Sequence, residues 1–399
     1  MCVFIHIGGL RALKSQVVKG GVAGLSAAYA FMKAQPTVPG KVVFLSRQSD
    51  TLSLDFQLLK RELQRLCPEI TVEAICDYQA SATAGIARFA LSTLKSMREL
   101  ATSQVCVLDA YWPAVSLLQH KPDLTVIQMW HALGKIKQSG LAAVGHRDGR
   151  PPEVARALHM HEGYDYIIAG APAWNRFYCE SFGCTPDRLV NIGLPRADVL
   201  ARNHEQAKCE LREKHPELAG KRVVLYAPTD RKHASGQDPI ASQRALIQRL
   251  ARSDDFVLAV KSHPNQPLDD AFPQAGNCLP LPDVGTLDLL PAVDLVISDY
   301  SATLIEAATA RTPFLLYCFD YDEYLQSNGL NLDLPAVFPH LLHRDPDSTA
   351  HAVENFLHGM YPREEFDAFA NTYTLPPTGH ATRDLAELVI RNTSFGASK

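Results

Sequence analysis

The stretch from Asp294 to Tyr317 constrains the fold of this chain more than any other. It begins with an apolar run at 295–297, passes through the polar cluster Ser298-Asp299-Tyr300-Ser301, and continues with apolar residues at helical spacing until Thr312-Pro313. The pattern predicts a strand, a tight turn, a helix and a second strand. This is the repeating unit of a parallel sheet that is covered by helices.

The turn at 299–303 is a candidate anion-binding site. In open parallel sheets, ligands bind beyond the carboxyl ends of the strands, and the amide groups that begin the next helix suit a phosphate. Thr303 and Glu306 also have the spacing of a capping box, in which side chains satisfy those amides. Spacing alone does not decide between a phosphate site and an ordinary capped helix.

Size and charge exclude several classes of protein. A chain of 399 residues, 46% hydrophobic and 21% charged, is expected to form two globular domains. The 43 acidic and 39 basic residues give a formal net charge of -4, which offers no overall electrostatic basis for binding nucleic acid. We therefore expect no nucleic-acid partner, and any basic surface must be local.

Cysteine usage and hydropathy place the protein in the cytoplasm. The nine cysteines form no CxxC pair and their number is odd, which argues against a disulfide framework or a structural zinc site. The uncharged N-terminal run between Lys19 and Lys33 is shorter than the roughly 20 residues that a membrane-spanning helix needs. We expect reduced thiols and no transmembrane segment.

Two N-terminal segments allow alternative interpretations. Residues 17–30 partly match the glycine fingerprint of dinucleotide enzymes, but Lys19 occupies the first glycine position and no convincing strand precedes it. A small-residue helix packed against a membrane surface or a second subunit fits better, so a homo-oligomer is possible. Residues 82–101 predict a basic amphipathic helix, which either covers a sheet or lies on an anionic membrane.

A basic cluster follows a predicted strand in the first half. The strand at 123–128 leads into Trp130 and His131, and lysines follow at 135 and 137. A histidine has a pKa near neutrality and can take a proton from a hydroxyl, although an isolated one is more often a packed side chain. The pair His159 and His161 could bind a metal, but no third ligand stands at a telling spacing.

The second half has three predicted strands with polar ends. The strand at 222–227 is followed by Thr229 and Arg231, the one at 256–260 by Lys261 and His263, and the one at 295–297 by the turn described above. Because the carboxyl ends of parallel strands meet at one edge, these residues predict a nucleotide or phosphate site. Polarity rises between 196 and 220, where we place the domain boundary.

Several motifs together resemble the CDP-glycerol glycerophosphotransferase family, the teichoic-acid primases and polymerases. The resembling stretches are KVVFLSRQSD, SLDFQLL, QMWHALGKIKQSG, YDYIIAG, NIGLPRADVL, VLYAPTDR, KSHP, DLVISDYSATLIEAA and TGHATRDLAELVI. The resemblance implies an α/β fold with two Rossmann-like domains facing across a cleft, the GT-B architecture. The implied divisions are an N-terminal helical segment at 1–40 with possible membrane contact, an acceptor domain at 41–205, a CDP-donor domain at 206–375, and a helix and tail at 376–399.

The resemblance also implies roles for individual residues. His131 matches the histidine proposed as the base for the acceptor hydroxyl, and His263 matches one at the donor phosphates. The expected donor-binding residues are Thr229, Arg231, Lys261, Ser298, Asp299, Ser301, Ala302, Thr303 and Glu306, and the expected acceptor-binding residues are Trp130, Lys135, Lys137 and Arg147. Two departures stand out: W-H-A-L-G where polymerases have W-H-G-T-P, and Ala302 in place of a serine.

The implied reaction transfers glycerol phosphate from CDP-glycerol to a hydroxyl of a prenyl-diphosphate-linked acceptor, with release of CMP. The resemblance places the protein at the cytoplasmic face of the plasma membrane as a peripheral protein. Since histidine, lysine and helix amides can neutralise the phosphate charge, we expect no cofactor, although Mg²⁺ is not excluded. The alternatives are a CDP-ribitol-dependent transferase, a GT-B glycosyltransferase that uses a nucleotide sugar, and a catalytically idle assembly partner.

Overall fold

The computed structural model describes residues 23–77, 85–229, 231, 238–261, 276–376 and 378–396. Residues 1–22 of the predicted N-terminal segment, with the first part of the glycine pattern, and His263 therefore lie outside the described residues. Among the helices within the described ranges, none combines the length and apolarity needed to cross a bilayer.

The first domain is built on a parallel sheet of six strands. The strands are β1 (Lys41–Ser46), β2 (Thr71–Cys76), β3 (Val105–Leu108), β4 (Thr125–Gln128), β5 (Tyr166–Ala169) and β6 (Leu189–Asn191), in the order β2-β1-β3-β4-β5-β6. The helices are α1 (23–32), α2 (Leu54–Leu66), α3 (Gly85–Thr102), α4 (Pro113–Leu117), α5 (Pro152–Ala157), α6 (Asn175–Phe182) and α7 (Arg196–Leu200). All of β3 and all of β4 except Thr125 are buried, because helices cover both faces, as parallel sheets require.

The second domain repeats this architecture with another sheet of six parallel strands. They are β7 (Arg222–Tyr226), β8 (Phe256–Val260), β9 (Cys278–Leu279), β10 (Leu295–Ser298), β11 (Phe314–Tyr317) and β12 (Leu342–His343), in the order β12-β11-β10-β7-β8-β9. Its helices are α8 (His204–Lys214), α9 (Pro239–Leu250), α10 (Thr286–Leu289), α11 (Thr303–Thr309), α12 (Tyr321–Ser327), α13 (Leu334–Val337), α14 (Pro346–Leu357) and α15 (Arg363–Tyr373). All strands of the first sheet precede the expected division between residues 205 and 206, and all strands of the second sheet follow it. The predicted α/β fold class is confirmed.

A C-terminal helix, α16 (Ala381–Arg391), returns to the first domain and packs against α2. Its first turn is held by Asp198, whose carboxylate accepts hydrogen bonds from the amides of Ala381 and Thr382, both at 2.9 Å. The carboxylate satisfies amides that a helix cannot satisfy itself. The chain therefore crosses twice between the domains, once before α8 and once before α16.

The buried face of α3 agrees only in part with the face predicted by its apolar spacing. That spacing places Leu94 and Met97 on one face; Met97 is buried as predicted, whereas Leu94 is 42% exposed and the polar Ser96 is buried. The Ser96 hydroxyl accepts a hydrogen bond of 3.0 Å from the indole of Trp112, which makes burial of this polar residue favourable. The helix is rotated accordingly, and Leu91 on its outer surface is 68% exposed.

Candidate active site

The candidate site lies where both sheets reverse their strand order. In the first sheet, β1 lies between β2 and β3, so the strand order reverses between β1 and β3. In the second sheet, β7 lies between β8 and β10, so the order reverses between β7 and β10. Open parallel sheets bind ligands beyond such switch points. Asp109 follows β3, while Thr229 and Asp299 follow β7 and β10.

His131 follows β4 beside the first switch point and is half-buried. Its Nδ1 lies 2.9 Å from the carbonyl oxygen of Asp109. Since a carbonyl can only accept, the neutral imidazole carries its proton on Nδ1, and Nε2 is left as an acceptor. Within the described part of the chain, Nε2 has no hydrogen-bond partner. Burial lowers the pKa of His131 to about 4, so the ring is neutral near pH 7.

Asp109 positions His131 through its backbone, and its side chain is tied down separately. The buried carboxylate accepts hydrogen bonds from the Ser46 hydroxyl at 2.6 Å and from the Arg47 amide at 3.2 Å. Burial raises the pKa of Asp109 to about 6. Sequence reasoning missed this residue, although an acidic residue directly after a buried strand was a usable signal.

Trp130 has a left-handed backbone, with φ of 62°. A tryptophan rarely adopts this conformation. It is held by the buried Gln128, whose side-chain oxygen accepts a 2.9 Å hydrogen bond from the Trp130 amide. The Trp130 ring centroid lies 4.1 Å from that of His131. Because the indole covers one side of the imidazole, Trp130 restricts both the orientation and the solvation of His131.

Lys135 lies behind Trp130 and is only 2% exposed. Its Nζ lies 4.1 Å from the ring centroid of Trp130, 4.4 Å from that of Phe182 and 5.1 Å from that of Tyr178. Nζ donates a 3.0 Å hydrogen bond to the Ser139 hydroxyl, and burial lowers the pKa of Lys135 well below its ordinary value. The structure therefore places Lys135 in a buried aromatic cage and not on a surface that an acceptor could reach.

Lys137 and Arg147 lie at the boundary with the second domain. The Nζ of Lys137 is 3.4 Å from the Thr229 hydroxyl, and the Arg147 guanidinium is 3.6 Å from the Glu323 carboxylate. Both residues thus contact side chains of the second domain. Their assignment to the acceptor remains a prediction.

Asp299 is the centre of a buried ion-pair network at the second switch point. Its carboxylate accepts hydrogen bonds from the Thr229 amide at 2.9 Å and from the Thr229 hydroxyl, and it lies 3.0 Å from the Arg231 guanidinium. Burial opposes the charge on Asp299, but Arg231 and Lys137 outweigh it and lower the pKa of this carboxyl. The network fixes the ends of β7 and β10 to each other.

Arg231 is enclosed by this network. Its side chain is 4% exposed and also pairs with Asp320 at 2.6 Å and with the Thr229 carbonyl at 3.0 Å. Because the guanidinium of Arg231 contacts Asp299, Asp320 and the Thr229 carbonyl, it orients the strand ends that carry these residues. The contacts favour a positioning role for Arg231 over the direct phosphate contact predicted from its sequence position.

The turn before α11 is capped from within. The Ser301 hydroxyl accepts a 3.2 Å hydrogen bond from the Thr303 amide, and the buried Ser298 hydroxyl donates to the Ala227 carbonyl at 2.6 Å. Ala302 is the N-cap residue and Thr303 the first helical residue, so the capping box considered for Thr303 and Glu306 is wrong. Glu306 turns instead toward the first domain. At the neighbouring strand end, Lys261 donates to the Leu281 carbonyl.

Arg196 joins the domains and was not predicted as a site residue. Its guanidinium contacts the Asp55 carboxylate at 2.6 and 2.9 Å and the Glu306 carboxylate at 2.8 Å. Burial by itself disfavours the charged form, but the two carboxylates raise the pKa of Arg196. Burial is the main cause of the low pKa of His131, and the charges of Lys135 and Arg196 lower it further, whereas Asp55 raises it.

His159 and His161, the pair considered above as metal ligands and not adopted, have other partners. His159 contacts Glu162 at 2.9 Å, and His161 contacts the Tyr164 hydroxyl at 3.1 Å. Among the described residues, no group of three His, Cys, Asp or Glu side chains is arranged to hold a metal ion.

A family model matches residues 27–391, nearly the whole chain. Its description is CDP-Glycerol:Poly(glycerophosphate) glycerophosphotransferase. The chain belongs to this family. The motif resemblance is thus confirmed, and the two sheets are those of a glycerophosphotransferase-family protein.

Two curated relatives illustrate the range of this glycerophosphotransferase family. The chain is 28% identical to a teichoic acid ribitol-phosphate primase of Bacillus spizizenii, over 97% of this chain and 100% of the relative. It is 25% identical to a teichoic acid glycerol-phosphate primase of Bacillus subtilis, over 74% of this chain and 76% of the relative. The wall teichoic acid polymerase TagF has the same fold, with a TM-score of 0.72 and 20% identity over 96% of each chain.

Proposed function

We propose that this protein transfers a polyol phosphate from a CDP-polyol to the hydroxyl of a lipid-linked acceptor in teichoic acid synthesis, with release of CMP. The observation that carries the proposal is His131, a neutral imidazole whose Nδ1 lies 2.9 Å from the Asp109 carbonyl and whose Nε2 is unpaired in the described structure. Family membership and the names of the relatives supply the substrate class.

In the proposed reaction the acceptor oxygen attacks the polyol-bearing phosphorus of the donor. His131 Nε2 takes the hydroxyl proton, a new P–O bond forms, the bond from phosphorus to the CMP oxygen breaks, and CMP leaves with that electron pair. Phosphoryl transfer of this kind depends on alignment and neutralisation of charge. Lys137 is predicted from the sequence to bind the acceptor, but its Nζ lies 3.4 Å from the Thr229 hydroxyl, so we assign it a cationic role on the donor side, together with the predicted contribution of His263.

Glycerol is our first choice of polyol and ribitol the second. The family description and the Bacillus subtilis primase favour CDP-glycerol, while the ribitol-phosphate primase of Bacillus spizizenii matches over its full length and favours CDP-ribitol. The proposed acceptor is a prenyl-diphosphate-linked saccharide, which is presented at the cytoplasmic face of the plasma membrane.

A panel of donors tests the proposal. The chain is incubated with CDP-glycerol, CDP-ribitol or a UDP-sugar and a prenyl-diphosphate-linked saccharide, with and without EDTA, and the released nucleotide is quantified. We expect CMP release, fastest from CDP-glycerol and unaffected by EDTA. UDP release would support a glycosyltransferase instead. Donor binding without turnover across the acceptor panel would indicate an idle assembly partner.

We also propose that α1 and α3 contact the membrane. Phe31 on α1 is 82% exposed, and Leu91 and Leu94 on α3 are 68% and 42% exposed. The two helices are neighbours, since Leu25 and Thr93 line one cavity of about 240 Å³. Exposed apolar side chains near Lys95 and Arg98, which also face solvent, suit an anionic lipid surface.

Vesicle binding tests this contact. We expect the double substitution Leu91→Ser and Leu94→Ser to weaken partitioning onto phosphatidylglycerol vesicles by about tenfold or more, because each buried leucine is worth about 1.5–3 kcal/mol. The matched control replaces Leu325 and Met360, also exposed apolar residues but in the second domain, by serine. Equal partitioning of the two double variants in sedimentation would contradict the proposal.

A further inference from the structure

The loop after His131 is hydrogen-bonded to the second domain by its backbone. Residues 328–331, here called the strap, follow α12 and run alongside residues 135–138. The Asn331 amide donates to the Ile136 carbonyl at 2.9 Å, and the Gln138 amide donates to the Gly329 carbonyl at 3.1 Å. Lys137 and Leu330 form an antiparallel bridge between the two segments. The candidate base therefore belongs to a loop whose far end is attached to the donor domain.

The Asn331 side chain reinforces this attachment. Its Nδ2 donates to the Lys135 carbonyl at 2.7 Å and lies 3.4 Å from the Lys137 carbonyl. One amide group thus engages the carbonyls on both sides of Ile136, whose own carbonyl accepts the Asn331 backbone amide. Asn331 alone makes contacts to three successive peptide groups of the loop.

Glycine at position 329 allows the two segments to approach. Gly329 has φ of +81°, a conformation that other residues rarely adopt, and a Cβ there would lie 2.3 Å from the side-chain oxygen of Gln138. The strap is therefore shaped to lie directly on the loop. Asn328 adds a further contact, since its Nδ2 is 3.4 Å from the Gln138 carbonyl.

The attachment continues to His131 through packed side chains. Lys135, whose carbonyl Asn331 binds, has its ammonium group 4.1 Å from the Trp130 ring centroid, and Trp130 lies at the same centroid distance from His131. A shift of the backbone at Lys135 would therefore displace the ring that covers the imidazole.

We propose that Asn331 is a positioning residue that fixes the His131 loop in register with the donor domain. The base and the donor phosphates are then placed by one rigid attachment, even though they belong to different sheets. The proposal rests on the proposed function, because it gives His131 the role of base. A misplacement of about 1 Å at a reacting group can cost on the order of 10²-fold in rate.

The variants Asn331→Ala and Asn331→Asp test the proposal. Both remove the donors to Lys135 and Lys137, and the aspartate keeps the size of the side chain in case the alanine variant fails to fold. Asn392→Ala is the matched control, because the Asn392 amide also donates to a backbone carbonyl, that of Leu388 at 2.8 Å, but in α16, remote from the strap.

Two measurements are made on each variant, the kinetics of CMP release and hydrogen exchange of peptides covering 130–138. We expect both Asn331 variants to lower kcat by about 10–100-fold with donor KM within about threefold, and to exchange faster in this segment. The control should match the wild type in both. A kcat within twofold of the wild type, or unchanged exchange, would overturn the proposal.

The exchange measurement separates this proposal from the proposed function. If the wild-type chain released no CMP from any CDP-polyol, the proposed function would fail. Faster exchange in the Asn331 variants would then still support the attachment of the loop, and unchanged exchange would refute it.

Discussion

Replacing His131 by alanine is expected to lower kcat by about 10²–10⁴-fold, the usual contribution of a general base. The imidazole is the group placed to take the acceptor proton, with Nδ1 bound to the Asp109 carbonyl and Nε2 unpaired within the described structure. Donor KM should change little, since the proton is transferred only as the acceptor attacks. CMP release under saturating donor and acceptor measures the effect.

The control for this variant is His159→Ala, which removes an exposed histidine paired with Glu162. It should leave kcat within about twofold of the wild type. A His131→Ala variant that retains more than a tenth of wild-type kcat, with an unchanged pH profile, would show that another group removes the proton.

The pH profile examines the same residue independently. A base must be neutral to accept a proton, and burial lowers the pKa of His131 to about 4. Acidification should therefore reduce kcat/KM near pH 4, whereas an unperturbed histidine would do so near 6.5. Burial raises the pKa of Asp109 to about 6, so an inflection there that disappears in Asp109→Asn would belong to Asp109.

The sequence predicted the strand ends well because they depend on local pattern. The apolar run at 295–297 and the helix after it are β10 and α11, and His131 follows β4 as expected. The polarity of a strand end can be predicted from neighbouring residues in the sequence. Contacts between side chains that are distant in the sequence cannot be predicted in this way, because they depend on how the helices and sheets pack.

Lys135 and Arg231 illustrate what the local pattern cannot give. Both follow predicted strands, and the sequence analysis expects Lys135 to bind the acceptor and Arg231 to bind the donor. Lys135 is instead enclosed by Trp130 and Phe182, and Arg231 by Asp299 and Asp320. Asp320 lies on the loop after β11. Its ion pair with Arg231, which follows β7, could be predicted only if β7, β10 and β11 were known to be adjacent.

Replacing Arg196 by methionine is expected to destabilise the protein by about 3–5 kcal/mol, the usual cost of breaking a buried ion pair from one side. The substitution leaves the carboxylates of Asp55 and Glu306 buried without their cation. Since Asp55 belongs to the first domain and Glu306 to the second, the loss falls on the contact between the domains. The stability of Arg196→Lys should lie between those of the wild type and Arg196→Met, because an ammonium group keeps the charge but cannot reproduce the bidentate contact with Asp55.

Arg249→Met is the matched control for this loss. Arg249 also contacts two carboxylates, Asp347 at 3.0 Å and Glu354 at 3.4 Å, but these lie in solvent, where such pairs are worth about 0–1 kcal/mol. Thermal unfolding compares the two, at about 2–4 °C per kcal/mol for a domain of this size. Equal losses in both variants would mean that the triad behaves as a surface pair. A large loss for Arg196→Met alone would establish that this buried guanidinium is a major contributor to the contact between the two domains.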